Sequence, residues 1–136
     1  MAFYGKKWQK TDFENILEFM DKLEVPEKTR ALLRQTESVS TFLNNGDGSI
    51  QYVVTVGDKE VINQKLVLGE EKEFKTPDGI DTKNTFTLEG ETLKSVMKFP
   101  GGKVLHMDRE FGADKMVLHL RLEGLDLKAN VTYLAV

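Results

Sequence analysis

The sequence predicts an all-β protein, a ten-stranded antiparallel meander rolled into a barrel, with two short helices inserted after the first strand. Three observations carry that prediction. Turn-forming residues recur at Asn45-Gly46-Asp47-Gly48, Gly57-Asp58, Gly69, Pro77-Asp78-Gly79, Gly90, Pro100-Gly101-Gly102, Gly112-Ala113-Asp114 and Gly124, spaced roughly every ten to twelve residues. The runs between them alternate in polarity, as in 103–111 and 115–122, so each has one apolar and one polar face. Helical periodicity is confined to about Thr11 to Gln35.

The first strand carries Trp8, whose large apolar area suits a plug at the closed end of a barrel, with Phe3 beside it. Next, Thr11-Asp12-Phe13-Glu14 has capping-box spacing and is expected to start a helix. Phe13, Ile16, Leu17, Met20 and Leu23 are expected on its apolar stripe. A second helix is expected to open at Val25-Pro26-Glu27, with Pro26 suited to the first turn, and to run to about Gln35. Helices this short cannot bury their apolar faces alone and must dock on the sheet. Nine strands follow. Asn45-Gly46-Asp47-Gly48-Ser49 joins two strands and opens no helix, so it reads as a hairpin and not as a phosphate cradle. Glu70-Glu71-Lys72-Glu73 reads as a solvated strand end. A meander of this length leaves two unpaired edges unless it closes, and a closed barrel of ten strands encloses a cavity. Barrel mouths favour small-molecule sites, which points to a binding protein for a mostly apolar ligand.

Composition narrows the function classes. The 136 residues are read as one domain, 1–136, large enough for a core without staples. There is no cysteine, hence neither a disulfide framework nor thiolate chemistry, which fits a reducing, cytoplasmic setting. A net charge of −3 with interspersed lysines and acids gives no basic footprint for nucleic acid. No apolar run is long enough to span a bilayer, and the N-terminus lacks the apolar stretch of a secretion signal. His106 and His119 fall on outer strand faces without ligand-spaced partners, so no metal is expected. Asp108 and Glu110 also point outward, no Ser/His/Asp arrangement is legible, and no enzyme and no cofactor are expected.

Phe3, Gly5 and Trp8, then Asn15-Ile16, Phe19-Met20, Val25, Thr29-Arg30, Asn45-Gly46-Asp47, Leu68-Gly69, Asp78-Gly79, Lys83, Arg109-Glu110 and Tyr133, resemble the intracellular lipid-binding proteins, the fatty-acid-binding protein family. The resemblance covers essentially the whole chain. It implies a ten-stranded antiparallel up-and-down β-barrel with a helix-turn-helix lid after the first strand, carrying a long-chain fatty acid or another hydrophobic ligand. Against the family spacing, Gly5-Lys6-Lys7-Trp8 has one extra residue, which suggests a bulge there, and Leu66 to Phe74 is longer than the norm.

Taking a carboxylate out of water costs several kcal/mol unless a cation and donors receive it, and a guanidinium suits that task. In the family an inward Arg on the eighth strand and an Arg-x-Tyr pair on the last strand do so. Arg109 matches the first. Alternation places Leu105, Met107, Arg109 and Phe111 on one face, so Arg109 either receives a ligand anion or is an exposed salt-bridging residue. Leu127, Ala129, Val131 and Tyr133 likewise face inward, which puts Val131 where the family has its second Arg. A one-residue shift puts Asn130 there instead, and one guanidinium is lost either way. Tyr133 either donates its hydroxyl beside Arg109 or simply closes the barrel. The expected ligand-contacting set is Arg109, Tyr133, Val131, Met107, Phe19, Met20, Ser40 and Leu118.

The ligand portal is expected near the helices and the turns at Val56-Gly57-Asp58 and Thr76-Pro77-Asp78-Gly79. Lys22, Lys28, Arg30 and Arg34 are expected either to touch anionic membranes transiently or to act as ordinary solvated charge. Three functions stay open: a monomeric carrier of fatty acid or a related anion, a carrier of a neutral or bulkier hydrophobe such as a retinoid or sterol, and a membrane-associating structural barrel.

Overall fold

The computed structural model describes residues 3–24, 26–76 and 78–136; the parts of the expected helix junction and turn that rest on Val25 and Pro77 lie outside them. Strand β1 (Lys7–Glu14) is followed by helices α1 (Ile16–Leu23) and α2 (Glu27–Arg34). Nine strands follow: β2 (Ser38–Asn44), β3 (Ser49–Val56), β4 (Lys59–Val67), β5 (Lys72–Lys75), β6 (Asp81–Glu89), β7 (Thr92–Lys98), β8 (Val104–Phe111), β9 (Lys115–Leu122) and β10 (Lys128–Ala135). The sheet order is β4-β3-β2-β1-β10-β9-β8-β7-β6-β5, an up-and-down meander in which β1 pairs antiparallel with β10.

The barrel is nearly closed. Strands β4 and β5 are the two ends of the sheet, and among the described residues the gap between them is spanned by one isolated bridge from Leu68, just past β4, to Phe86 of β6, where the Gly69 N–H donates to the Phe86 carbonyl at 2.8 Å. Full closure, expected from the edge argument, stops here because the 68–71 link carries the chain away from β4 before the four-residue β5 begins. A short edge with exposed Lys72, Glu73 and Lys75 discourages pairing with another chain.

The first half of the chain corrects three sequence-based expectations. Thr11 to Glu14 does not cap a helix; it is the second half of β1, paired with Asn130 to Thr132 of β10. Capping-box spacing is a local preference, and the ladder with β10 overrides it. Helix α1 instead begins after Asn15, in the left-handed region at φ 60°, whose carbonyl accepts the Phe19 N–H at 2.9 Å. The bulge lies at Thr11, between the pairs Lys10–Tyr133 and Asp12–Thr132, and not at Gly5 to Trp8, where a turn ending at Gly5 leads into β1 and Lys7 and Trp8 pair regularly with β2. The buried stripe of α1 is Ile16, Phe19, Met20 and Leu23, the i, i+3, i+4, i+7 series, whereas Leu17 is 56 % exposed.

The closed end is plugged as expected. Phe3 stacks on Phe111 at 4.1 Å between ring centroids, Trp8 meets Phe111 at 5.5 Å, and Phe42 meets Phe111 edge-on at 5.4 Å. Such ring pairs each contribute about 0.5–1.5 kcal/mol beyond area burial. At the other end α1 packs against β10 and α2, and the Lys28 backbone N–H donates to the Asp78 carboxylate at 3.3 Å, tying α2 to the turn between β5 and β6.

Candidate functional site

Between the aromatic plug and the helices lies a cavity of about 160 Å³, more than ten times the roughly 10–15 Å³ that one ordered water needs. Its wall is mostly apolar, from Ile16, Phe19, Met20 and Leu23 of α1 to Leu105, Met107, Leu118 and Leu120 of β8 and β9. At the helical end it reaches Pro26, Thr76 and Ile80, the region expected to form the portal. The inward polar groups of the wall are largely satisfied: Asn84 donates to the Thr82 hydroxyl at 2.9 Å, which in turn donates to the Phe74 carbonyl at 2.7 Å.

Arg109 is the exception. The period of two in β8 turns it inward between Met107 and Phe111, and it is 6 % exposed. Its Nη2 donates to the Tyr52 hydroxyl at 3.3 Å, and its guanidinium carbon lies 5.1 Å from the Tyr52 ring centre and 5.9 Å from that of Phe42. Its Nη1 has no hydrogen-bond partner among the described residues. The exposed salt-bridge alternative is therefore excluded by position: this arginine stands inside the barrel, with a phenol and two aromatic faces as its neighbours.

Tyr133 also lines the cavity, and its phenol is pushed well above the ordinary tyrosine range by burial and then by neighbouring Tyr52, with Arg109 pulling the other way. It therefore stays a neutral donor at physiological pH. Of the expected contact set, Arg109, Tyr133, Met107, Phe19, Met20, Ser40 and Leu118 all line the cavity. Val131 does not. It is 1 % exposed, set in the wall between its ladder partners Phe13 and Leu118 on the strand against which α1 packs.

Sequence reasoning missed Lys10 and Tyr52. Lys10 of β1 is 4 % exposed, lines the cavity and sits directly across the ladder from Tyr133. Burial lowers its ammonium pKa to about 8. Its signal was available: Trp8 faces inward, so the residue two further along the same strand must do so too. Among the described lining residues there are two cations, Lys10 and Arg109, and no carboxylate. Taken together, the cavity can hold an apolar chain and offers cationic and phenolic donors to an acidic head.

No helix among the described residues is long and apolar enough to cross a membrane, and no described cluster of three His, Cys, Asp or Glu side chains could hold a metal. Comparison with known family profiles finds no match. Individual relatives are informative. The chain is 32 % identical over 98 residues to the liver-type fatty acid-binding protein of Takifugu rubripes, covering 72 % of this chain and 76 % of that one. It is 31 % identical over 114 residues to fatty acid-binding protein 12 of Homo sapiens, covering 82 % of this chain and 77 % of the relative. The crystal structure of a fatty acid-binding protein from brain tissue of Drosophila melanogaster superposes with a TM-score of 0.83 at 27 % identity, covering 98 % of this chain and 99 % of that one. With these relatives, the ten-stranded barrel and its helical cap, the chain belongs to the fatty acid-binding protein family.

Proposed function

We propose that the protein binds and carries a long-chain fatty acid, or a closely related amphipathic anion, with the carboxylate received by Arg109 and the Tyr133 hydroxyl and the chain lying along the apolar wall. One observation carries this reading: a guanidinium is buried in a cavity whose described lining has no acidic side chain, and one of its amino groups lacks an acceptor among the described residues. A buried charge without a counterion costs several kcal/mol, and so does a desolvated carboxylate. Bringing the two together relieves both, with charge-assisted hydrogen bonds as the gain. Tyr52 accepts a hydrogen bond from the guanidinium through its hydroxyl. The names of the relatives support the same ligand class.

The same reading makes the chain a monomeric cytoplasmic carrier, one domain over 1–136, that binds its ligand without transforming it. Unloading occurs through the helical end in transient contact with anionic membranes. Arg30 and Arg34 are ion-paired with Asp21 and Glu27 at 2.8 and 2.6 Å, so Lys22 and Lys28 are the charges assigned to that contact.

The test is displacement of a fluorescent fatty acid from the parent and from Arg109→Gln, with circular dichroism as the folding control. Arg109→Gln is expected to weaken oleate by about 2–4 kcal/mol, as when a buried charge loses its partner, and to leave oleyl alcohol nearly unchanged. Equal oleate affinity in a folded variant gives the neutral-hydrophobe reading first place.

A further inference from the structure

The rings of Trp8 and Phe111 touch at the closed end of the barrel, and they fix the relative height of β1 and β8. Two residues nearer the helices on each strand, on the same inward face, stand Lys10 and Arg109. The two cations therefore occupy the same level of the barrel. Between β1 and β8 lie β10 and β9, so the strands are three ladder spacings apart, about 14 Å along the curved sheet and less across it. Both side chains line the same cavity. Tyr133, the ladder partner of Lys10, is close enough to Arg109 to feel its charge. Strand β10 supplies this phenol to the cavity but, with Val131 in its wall, no lining cation; the neighbouring strand supplies one through Lys10.

We propose that Lys10 is a second anion-receiving residue of the cavity, so that the acidic head of the ligand is held between the Lys10 ammonium and the Arg109 guanidinium with Tyr133 beside them. This rests on the carboxylate reading given above and narrows it: two cations at one level, with no acidic side chain among the described lining residues, suit a fully ionised head group with two acceptor oxygens.

Burial already weakens the hold of Lys10 on its proton. A bound carboxylate restores it, so binding and protonation are linked. The described titratable groups that line the cavity with Lys10 are its ladder partner Tyr133 from β10, Tyr52 from β3 and Arg109 from β8; the described cavity residues of α1 and β2 carry no titratable side chain. Raising the pH from 7 to 9, through the free-state value of about 8, should therefore lower the affinity of the parent for oleate several-fold. The carboxylate of oleate stays ionised throughout that range.

The experiment titrates oleate and oleyl alcohol into the parent, Lys10→Met, Lys10→Arg and Arg109→Gln at pH 7 and pH 9, with circular dichroism on each. At pH 7 Lys10→Met is expected to lose oleate affinity roughly ten- to a hundredfold, the range for a hydrogen bond to a charged group, to keep its affinity for the alcohol, and to lose the pH dependence. Lys10→Arg, whose guanidinium stays protonated, should keep oleate affinity within a few-fold and hold it at pH 9. If Arg109→Gln weakens oleate while Lys10→Met binds as the parent does and the pH dependence survives in it, Lys10 is a structural residue and this inference is overturned, the carboxylate reading surviving. If neither variant distinguishes oleate from the alcohol, the carboxylate reading itself fails and takes this inference with it.

Discussion

Lys10 should cost the unliganded protein stability, and Lys10→Met should recover it. The unfolded chain holds the lysine proton up to the ordinary 10.5, whereas burial in the fold brings release down to about 8. Below pH 8 both states are protonated and the full cost of the buried ammonium is present. That cost is 2.5 pKa units, 10.5 minus 8, or roughly 3 kcal/mol. Between the two values the unfolded state binds more protons, so stability contributed by this site rises with pH. By pH 9.5 the cost falls to roughly 1.5 kcal/mol on the same linkage. Methionine has a similar shape and no charge to desolvate, so Lys10→Met should be more stable than the parent by up to roughly 3 kcal/mol at pH 7, and the margin should shrink by about half at pH 9.5. Urea unfolding of delipidated protein at both pH values, followed by circular dichroism, measures it. A variant less stable than the parent, by an amount indifferent to pH, would refute the reasoning and make Lys10 a net stabilising structural residue. The same variant is expected to bind oleate worse, which is the pattern of a residue kept for ligand at the expense of the empty fold.

Other expectations follow from single contacts. Phe111→Ala removes the ring against which Phe3, Trp8 and Phe42 pack, and should cost about 3–5 kcal/mol in urea unfolding. On α1, Met20→Ala should cost about 2–5 kcal/mol whereas the exposed Leu17→Gln should stay within about 0.5 kcal/mol of the parent; the reverse order would mean the helix packs on its other face. Tyr133→Phe should weaken oleate by only about 0.5–1.5 kcal/mol, since one neutral donor is lost, and a loss equal to that of Arg109→Gln would make the phenol the principal receiver. Asp78→Ala removes the acceptor of the Lys28 N–H, and stopped-flow transfer of a fluorescent fatty acid to vesicles should quicken with equilibrium affinity little changed.

Much of this architecture was legible because its signals were periodic and repeated. Each turn between strands is marked by Gly, in several with Asn or Asp beside it, and Gly46, Gly57, Gly79, Gly90 and Gly124 all adopt the positive φ that such a reversal uses. Alternation in 104–111 and 128–135 placed Arg109 and Tyr133 inward without any knowledge of contacts. The failures came where a local signal met a non-local partner. Thr11 to Glu14 has the residues of a helix start, yet β10 claims it for the sheet. That misreading moved the helix boundary, while the bulge was misplaced separately, by the family spacing at Gly5 to Trp8. Val131 was assigned to the ligand by position alone; alternation gives the face of a side chain but not whether it reaches the cavity, which its ladder partner Leu118 lines and Val131 does not. The seam between β4 and β5 was likewise invisible, because closure depends on how the two ends of the sheet meet in space.

Native mass spectrometry of the protein extracted from its source, run alongside Arg109→Gln prepared in the same way, tests the central claim most directly. The account predicts that the parent retains a long-chain carboxylic acid and that folded Arg109→Gln retains markedly less of it. A neutral lipid in the parent, or the same acid held equally by both proteins, would contradict it.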